Sequence, residues 1–333
     1  MPSRYKGKKI MHSKLISVLM CTYREPVKWI ESSINSILKQ TYQDFEFVIV
    51  VDDPTNTDII QCLRKFKNEH DCIKIIINAK NVGLVKSLNI GIRYCKGDFI
   101  ARMDADDISL PERLETELNF MLMHKYDIIG CRFESFCENE IYQSRSVPRQ
   151  SYICARLLGY TNCVGHPTWI VKKEVYDALN GYREIASCED YDFLMRAALR
   201  DYKIGCVDKC LFRYRHNPQS ISSNNDVSQA VISNRLRSCY RKNRELSDVD
   251  YQEWRMSSEY STEINLYHRY LSTRRKIEHG ESNNLLLDIV RLACMRESYI
   301  KLFSKIMTIF WLLLDKIIYK LEFGILSAEN QIE

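Results

Sequence analysis

No stretch of this 333-residue chain is long and apolar enough to cross a bilayer. Its longest apolar run, Ile306 to Leu314, is interrupted by Thr308 and bounded by Lys305 and Asp315, well short of the ~20 residues a spanning helix needs. No leader is expected either: Arg4, Lys6, Lys8 and Lys9 precede no long apolar region, and Met11 serves as a start as well as Met1. The expectation is a soluble or peripheral protein. Thirteen cysteines occur without a C-x-x-C pair. Their odd number, and the apolar settings of Cys21, Cys62, Cys72 and Cys206, point to reduced, buried thiols in a cytosolic protein. Cys206 and Cys210 lack a second pair for zinc. Charge of one sign is scarce too: a net +5 suits an acidic substrate or an anionic membrane surface but is too small to argue for nucleic acid.

What is present is alternation. Ile16–Cys21 reads as a buried strand, and Pro26 opens a helix to about Lys39. Phe45–Val51 is a second strand, followed by a helix over roughly 55–69. Cys72–Ile77 is a third strand, Asn81-Val82-Gly83 begins a helix, and Phe99–Met103 is a fourth strand. This spacing specifies an α/β fold with a mostly parallel, doubly wound sheet. Further on, Pro111 starts a helix striped by Leu114, Leu118, Met121 and Leu122. A strand follows at 128–131, a helix at 189–202 and a strand at 203–214. Beyond 226 proline disappears and helical periodicity runs to the end. The expected division is an extension over 1–14, a domain over 15–225 and a helical region over 226–333, with a polar linker at Asn217–Asp226.

The chemistry concentrates at strand ends. Arg102-Met103-Asp104-Ala105-Asp106-Asp107 sets three carboxylates in four positions, which repel unless a cation lies among them. Oxygen ligands suit a hard divalent ion such as magnesium or manganese, and such an ion shares its shell with phosphate. Asp104 and Asp106 alternate and so face one side, with Asp107 turned elsewhere. A helix cap before Pro111 is the alternative, but a cap needs only one such side chain. The ends of the first two strands, Thr22-Tyr23-Arg24-Glu25 and Asp52-Asp53, lie where ligands bind in parallel sheets. Glu189-Asp190-Tyr191-Asp192 opens a helix, where acidic residues favour the dipole and where a general base can also sit. Arg213, Arg215 and His216 end the last strand as a solvated basic turn or as cations for a diphosphate.

With these residues in view, the chain from about 15 to 225 resembles the family 2 inverting glycosyltransferases of the GT-A fold, particularly bacterial enzymes of surface-polysaccharide assembly. The matching stretches are Ile16–Tyr23, Ile37–Tyr42, Val48–Asp53, Asn81–Leu84, Ile100–Asp107, Pro111–Leu114, Gly165–Thr168 and Glu189–Asp192, in order and spacing. The resemblance implies that Tyr23, with Thr22 beside it, stacks on a nucleotide base and that Asp53 hydrogen-bonds it. Asp104 then faces the ribose and metal, Asp106 holds Mn2+ or Mg2+ on the donor diphosphate, and Asp190 is the catalytic base. His166 and Trp169 fall where relatives contact the acceptor, Trp169 reading either as core or as a sugar platform. Two departures stand out: Pro54-Thr55 replaces a common Gly-Ser, and Leu88-Asn89 replaces a common Arg-Asn, with Lys86 or Arg102 as substitutes for that arginine.

The implied partners are a nucleotide-sugar donor and a glycan or lipid-linked acceptor, at the cytoplasmic face of the inner membrane. In the C-terminal region Tyr299, Ile300, Phe303, Ile306, Met307, Phe310, Trp311, Leu314, Ile317 and Ile318 recur at helical spacing beside Lys301, Lys305, Lys316 and Lys320. That pattern suits a membrane-surface helix, a homodimer partner or packing on the catalytic domain. Nucleotidyl transfer is an alternative function, although Thr22–Glu25 lacks the glycine of a phosphate loop. A non-catalytic glycan-binding scaffold is another, opposed by the intact Asp104, Asp106 and Asp190.

Overall fold

The computed structural model describes residues 14–137, 140–142, 147–148, 150–216, 226–281 and 284–329, with side chains as far as 318. The expected extension and linker lie outside these residues, except for Lys14 and Asp226. The chain forms two compact units. One comprises residues up to Ser151, Val164–Glu184 and Arg200–Asn217; the other comprises Tyr152–Cys163, Ile185–Leu199 and the chain from Pro218. The expected division at a single point therefore differs from the observed one, in which two short inner pieces join the C-terminal helices. Long-range bonds within the second unit account for this. Tyr191 Oη donates to Leu158 O, and Arg237, Tyr240 and Arg241 donate to the carbonyls of Tyr160, Ala155 and Gly159.

The strands are β1 (Ile16–Thr22), β2 (Phe45–Val51), β3 (Ile73–Ile77), β4 (Phe99–Asp104), β5 (Ile108–Ser109), β6 (Ile128–Cys137), β7 (Glu140–Tyr142), β8 (Ile170–Lys172) and β9 (Ile204–Arg215). Among the described residues they form one sheet in the order β3-β2-β1-β4-β8-β6-β9-β5, with β7 paired to β6. β1, β2, β3, β4, β6 and β9 point one way, and β5, β7 and β8 the other. Helices α1 (Val27–Leu38), α2 (Thr57–Glu69), α3 (Leu84–Tyr94), α4 (Arg113–His124), α5 (Ser151–Leu158), α6 (Lys173–Leu179) and α7 (Glu189–Leu199) lie between the strands. After them come α8 (Asp226–Arg241), α9 (Asp248–Arg255), α10 (Ser258–Glu278), α11 (Leu285–Cys294) and α12 (Arg296–Glu329).

All seven residues of β1 are buried, as a strand covered on both faces requires. Val18 and Met20 join the core under α1, α2 and α4. Leu19 faces α3, where a Cβ on Gly91 would lie 2.3 Å from Leu19 Cδ1. Two boundaries differ by three residues or more from those read in the sequence. β6 runs six residues beyond Cys131 because Arg132–Phe136 pair with β9 past a bulge. α7 stops at Leu199, and Asp201 adopts a left-handed φ of 61°, which ends a helix.

Gly97 leads into β4 against β1. A Cβ there would sit 2.5 Å from Leu15 O and 2.8 Å from Ser17 N, and backbone atoms cannot rotate away. Gly97→Ala is expected to lower stability by about 1–3 kcal/mol, read as a lower urea midpoint at unchanged slope.

Candidate active site

The chain lays down β1, β2 and β3 in one direction and then places β4 on the other side of β1. That reversal opens the crevice where ligands bind in such sheets. Its rim is in register: Cys21 pairs with Asp104, and Thr22 with Val51. The ends of β1, β2 and β4 thus bring Thr22, Tyr23, Asp53 and Asp104 to one edge, all within the first unit.

At the end of β1, Thr22 Oγ1 and Tyr23 N donate to Glu25 Oε2 at 2.7 and 2.8 Å. The Tyr23 ring is half-buried, with the Arg24 guanidinium 4.7 Å from its centre. Asp52 and Asp53 divide their roles. Asp52 is structural, accepting from Asn78, Val82 N and Gly83 N at 2.7–2.9 Å and so shaping the turn where Gly83 has φ 86°. Asp53 Oδ1 accepts from the amide and hydroxyl of Thr55, and Oδ2 from Arg24. The Thr55 hydroxyl, foremost, holds the Asp53 carboxyl below its usual pKa, so it stays an acceptor. Thr55, which stands in place of the common serine, makes both of these bonds.

In the acidic run, Asp104 and Asp106 are half-buried, while Ala105 and Asp107 are buried. Burial first, then Asp104 and Glu25, push Asp106 up to about 7. Burial, Asp104 and Asp106 raise Asp107 well above the usual carboxylate range. Asp107 is a strut: Oδ1 accepts from Arg215 N at 2.7 Å, and Oδ2 is buried without a partner. Ser33 of α1 donates to Asp104 O at 3.0 Å.

This crowd of like charge with hard oxygen donors fits a divalent cation. Among the described residues no three acidic, histidine or cysteine side chains are grouped to hold an ion on their own. Such an ion, held by one or two carboxylates, completes its shell with substrate phosphates. Glu25, whose charge reaches Asp106, was not singled out in the sequence. Its one sequence signal is its place beside Tyr23 at the end of β1, ahead of the helix that Pro26 caps.

Several expected contacts take different roles. Arg102, expected at the nucleotide or diphosphate, is 2% exposed and ion-paired to Asp104 at 2.5 Å. It lies on a central strand covered on both faces, so it orients Asp104 rather than meeting a ligand. Burial opposes its charge, but Asp104 outweighs burial and its pKa rises. Trp169, read as core or sugar platform, is wholly buried with Nε1 donating to Val164 O; the platform reading is corrected to core. Leu88 is buried as well, whereas Lys86 is exposed and paired with Glu184 at 3.3 Å. Arg215, expected at a diphosphate, donates through Nε to Asp106 O at 2.7 Å, with its guanidinium 4.8 Å from the Trp29 ring and 4.3 Å from Phe136. His216 is exposed, and its amide donates to Phe136 O. His166 Nε2 lies 2.8 Å from Tyr182 Oη. Burial, then Arg102, depress its pKa well below 6.5, so the ring is neutral.

In the second unit, Glu189 and Asp190 stand in the first turn of α7. Asp190 Oδ2 accepts from Asn162 Nδ2 at 2.8 Å, and Oδ1 from Tyr191 N at 2.7 Å.

Comparison with known proteins agrees with this layout. Residues 17–179 match the model of the glycosyl transferase family 2 domain. The chain is 33% identical over 214 residues to the O-antigen biosynthesis glycosyltransferase WbnJ of Escherichia coli, covering 63% of this chain and 83% of WbnJ. It is 29% identical to the same organism's UDP-Glc:alpha-D-GlcNAc-diphosphoundecaprenol beta-1,3-glucosyltransferase WfgD, covering 64% and 82%. In fold it resembles the mannosyltransferase PcManGT of Pyrobaculum calidifontis, solved with GDP-Man and Mn2+, at a TM-score of 0.57, 14% identity and coverage of 92% and 87%. The acidic strand ends all fall inside the matched span, and a relative one-third identical is covered over most of its length, so this chain belongs to the family 2 glycosyltransferases and is a glycosyltransferase of GT-A fold.

Proposed function

We propose that the enzyme transfers a sugar with inversion from a nucleotide-sugar, a UDP-sugar in the first instance, to a hydroxyl of a lipid-linked glycan. We place the reaction in surface-polysaccharide assembly, O-antigen or capsule, at the cytoplasmic face of the inner membrane. The observation that carries the reading is the alignment of Tyr23, Asp53, Asp104 and Asp106 on the ends of adjoining strands. The O-antigen role of WbnJ, the UDP-Glc donor and diphosphoundecaprenol-linked acceptor in the name of WfgD, and the GDP-Man and Mn2+ bound to PcManGT support it.

In this reading Tyr23 stacks on the base, and Asp53, fixed by Thr55 and Arg24, accepts a base N–H. Asp104, oriented by Arg102, faces the ribose and, with Asp106, holds Mn2+ or Mg2+. When bound, the ion neutralises the departing diphosphate. Asp190, oriented by Asn162, takes the proton of the acceptor hydroxyl as its oxygen attacks the anomeric carbon. The bond from that carbon to the diphosphate oxygen breaks, and its electrons leave with the nucleotide. An α-linked donor gives a β-linked product. His166, a neutral ring beside Tyr182, is the proposed acceptor contact in the first unit, and Glu189 the one beside the base.

The test is nucleoside diphosphate release from a panel of nucleotide-sugars with manganese. One donor is expected to support release, chelator to abolish it and added manganese to restore it. Release unaffected by chelator removes the metal from the reading; binding of the donors without release in the presence of acceptor glycolipids removes the transfer.

A further inference from the structure

Helix α12 is inside out. The side chains it turns inward include Glu297 at 7% exposure, Ser304 at 9% and Asp315 at 1%. Tyr299, Phe303, Ile306, Phe310, Leu313 and Ile317 alternate by four and three along the outward face, each at least half exposed, and Leu302 and Ile309 widen the stripe. Helix α11 extends the apolar surface. It has no buried residue, and Leu285, Leu286, Ile289 and Val290 are 45–74% exposed. A helix in water does the reverse, so this face is built for an apolar surrounding.

Charge identifies the surrounding. On the same two helices the cations point out: Arg291 and Arg296 are 62% and 64% exposed, and Lys305 and Lys316 are exposed as well, whereas Lys301 turns back over the Tyr267 and Tyr270 rings. Among the described residues of these helices the acids are withdrawn, with the Asp288 side chain 17% exposed and Glu297 and Asp315 buried. Among the described residues of these two helices the exposed charges beside the apolar stripe are cations, which complements an anionic bilayer surface. A second copy of this chain would present the same cations and, among the described residues of these two helices, no exposed acid to pair with them. No helix among the described residues is long and apolar enough to span a membrane, so the helices lie in the interface rather than across it.

We infer that the outward faces of α11 and α12 form a monotopic binding surface for anionic lipid, with the apolar stripe at acyl depth and Lys305 and Lys316 at the phosphates. This deepens the lipid-linked acceptor reading but is measured without donor or acceptor, so the two can fail separately. The full chain is floated with vesicles of phosphatidylglycerol and phosphatidylethanolamine, and with phosphatidylcholine alone. Binding is expected only to the anionic vesicles and to weaken with salt. Ile306→Gln with Leu313→Gln should reduce it about tenfold or more, and so should Lys305→Gln with Lys316→Gln, with thermal melting unchanged because all four side chains are exposed. Absence of binding, or equal binding to both vesicles, overturns the inference. So does a dimer in sedimentation velocity that Ile306→Gln with Leu313→Gln disperses, because a second copy then covers the face. Loss of transfer with vesicle binding intact counts against the acceptor reading alone.

Discussion

Asp190→Asn should lower turnover by about a hundred- to ten-thousand-fold while donor affinity stays within about twofold of wild type. The substitution keeps the size of the side chain: its single oxygen can still accept from Tyr191 N, and its new NH2 requires the Asn162 amide to turn its oxygen inward. What it removes is the capacity to take a proton. A purely structural Asp190 predicts something else: loss of a favourable charge at the start of α7, worth about 0.3–1 kcal/mol, with turnover intact. Calorimetric donor binding, thermal melting and single-turnover release on the same preparation separate the two. Unaltered turnover removes Asp190 as the base.

The second large effect concerns stability. Arg113 is fully buried, with Nε 3.1 Å from Glu117 Oε2 and Nη2 donating to Arg102 O at 2.8 Å. It therefore fastens α4 to β4 just before the acidic run. Arg113→Met leaves Glu117 buried without its cation, and breaking such a pair from one side costs about 3–5 kcal/mol. Replacing both, Arg113→Met with Glu117→Leu, should recover much of that, because a buried ion pair and its apolar counterpart are often close in stability.

The pH dependence gives a further check. Burial pushes Glu117 from 4.5 up to about 7, and Arg113 draws it down. A folded-state pKa above the unfolded one means that the folded chain retains a proton the unfolded chain has released. The associated stability is complete below 4.5 and lost as pH rises through about 7. Without Arg113 that upper limit moves higher, so the deficit of the single variant should be smaller in acid than above neutrality. Urea midpoints across that range measure it.

The alternating strands and helices of the first hundred residues are legible because each buried strand is a nearly unbroken apolar run with punctuation at its ends. Phe45–Val51 emerges with the expected bounds. Residues 140–180 are not legible in the same way. β8 has three residues and α6 seven, too short for periodicity, and they exist because β8 is held between β4 and β6. Within the site, sequence locates the carboxylates but does not divide their work. Asp52 and Asp53 are adjacent and chemically alike, and only the position of the Val82–Gly83 turn makes one a strut. Arg102 looked like a ligand because charge usually seeks solvent. The cover that buries it includes Trp169, whose carbonyl accepts from Arg102 N, and that neighbour is remote in sequence.

Arg215 links three parts of the first unit: Trp29 from α1, Phe136 from β6 and the Asp106 carbonyl after β4. A group bound to all three at once makes them one body, so the acidic turn cannot swing without moving a helix and a strand. Catalytic dipoles held this way need little reorientation as charge develops on the leaving group. Arg215 would thus serve a departing anion from behind, by keeping the carboxylates still rather than by touching it.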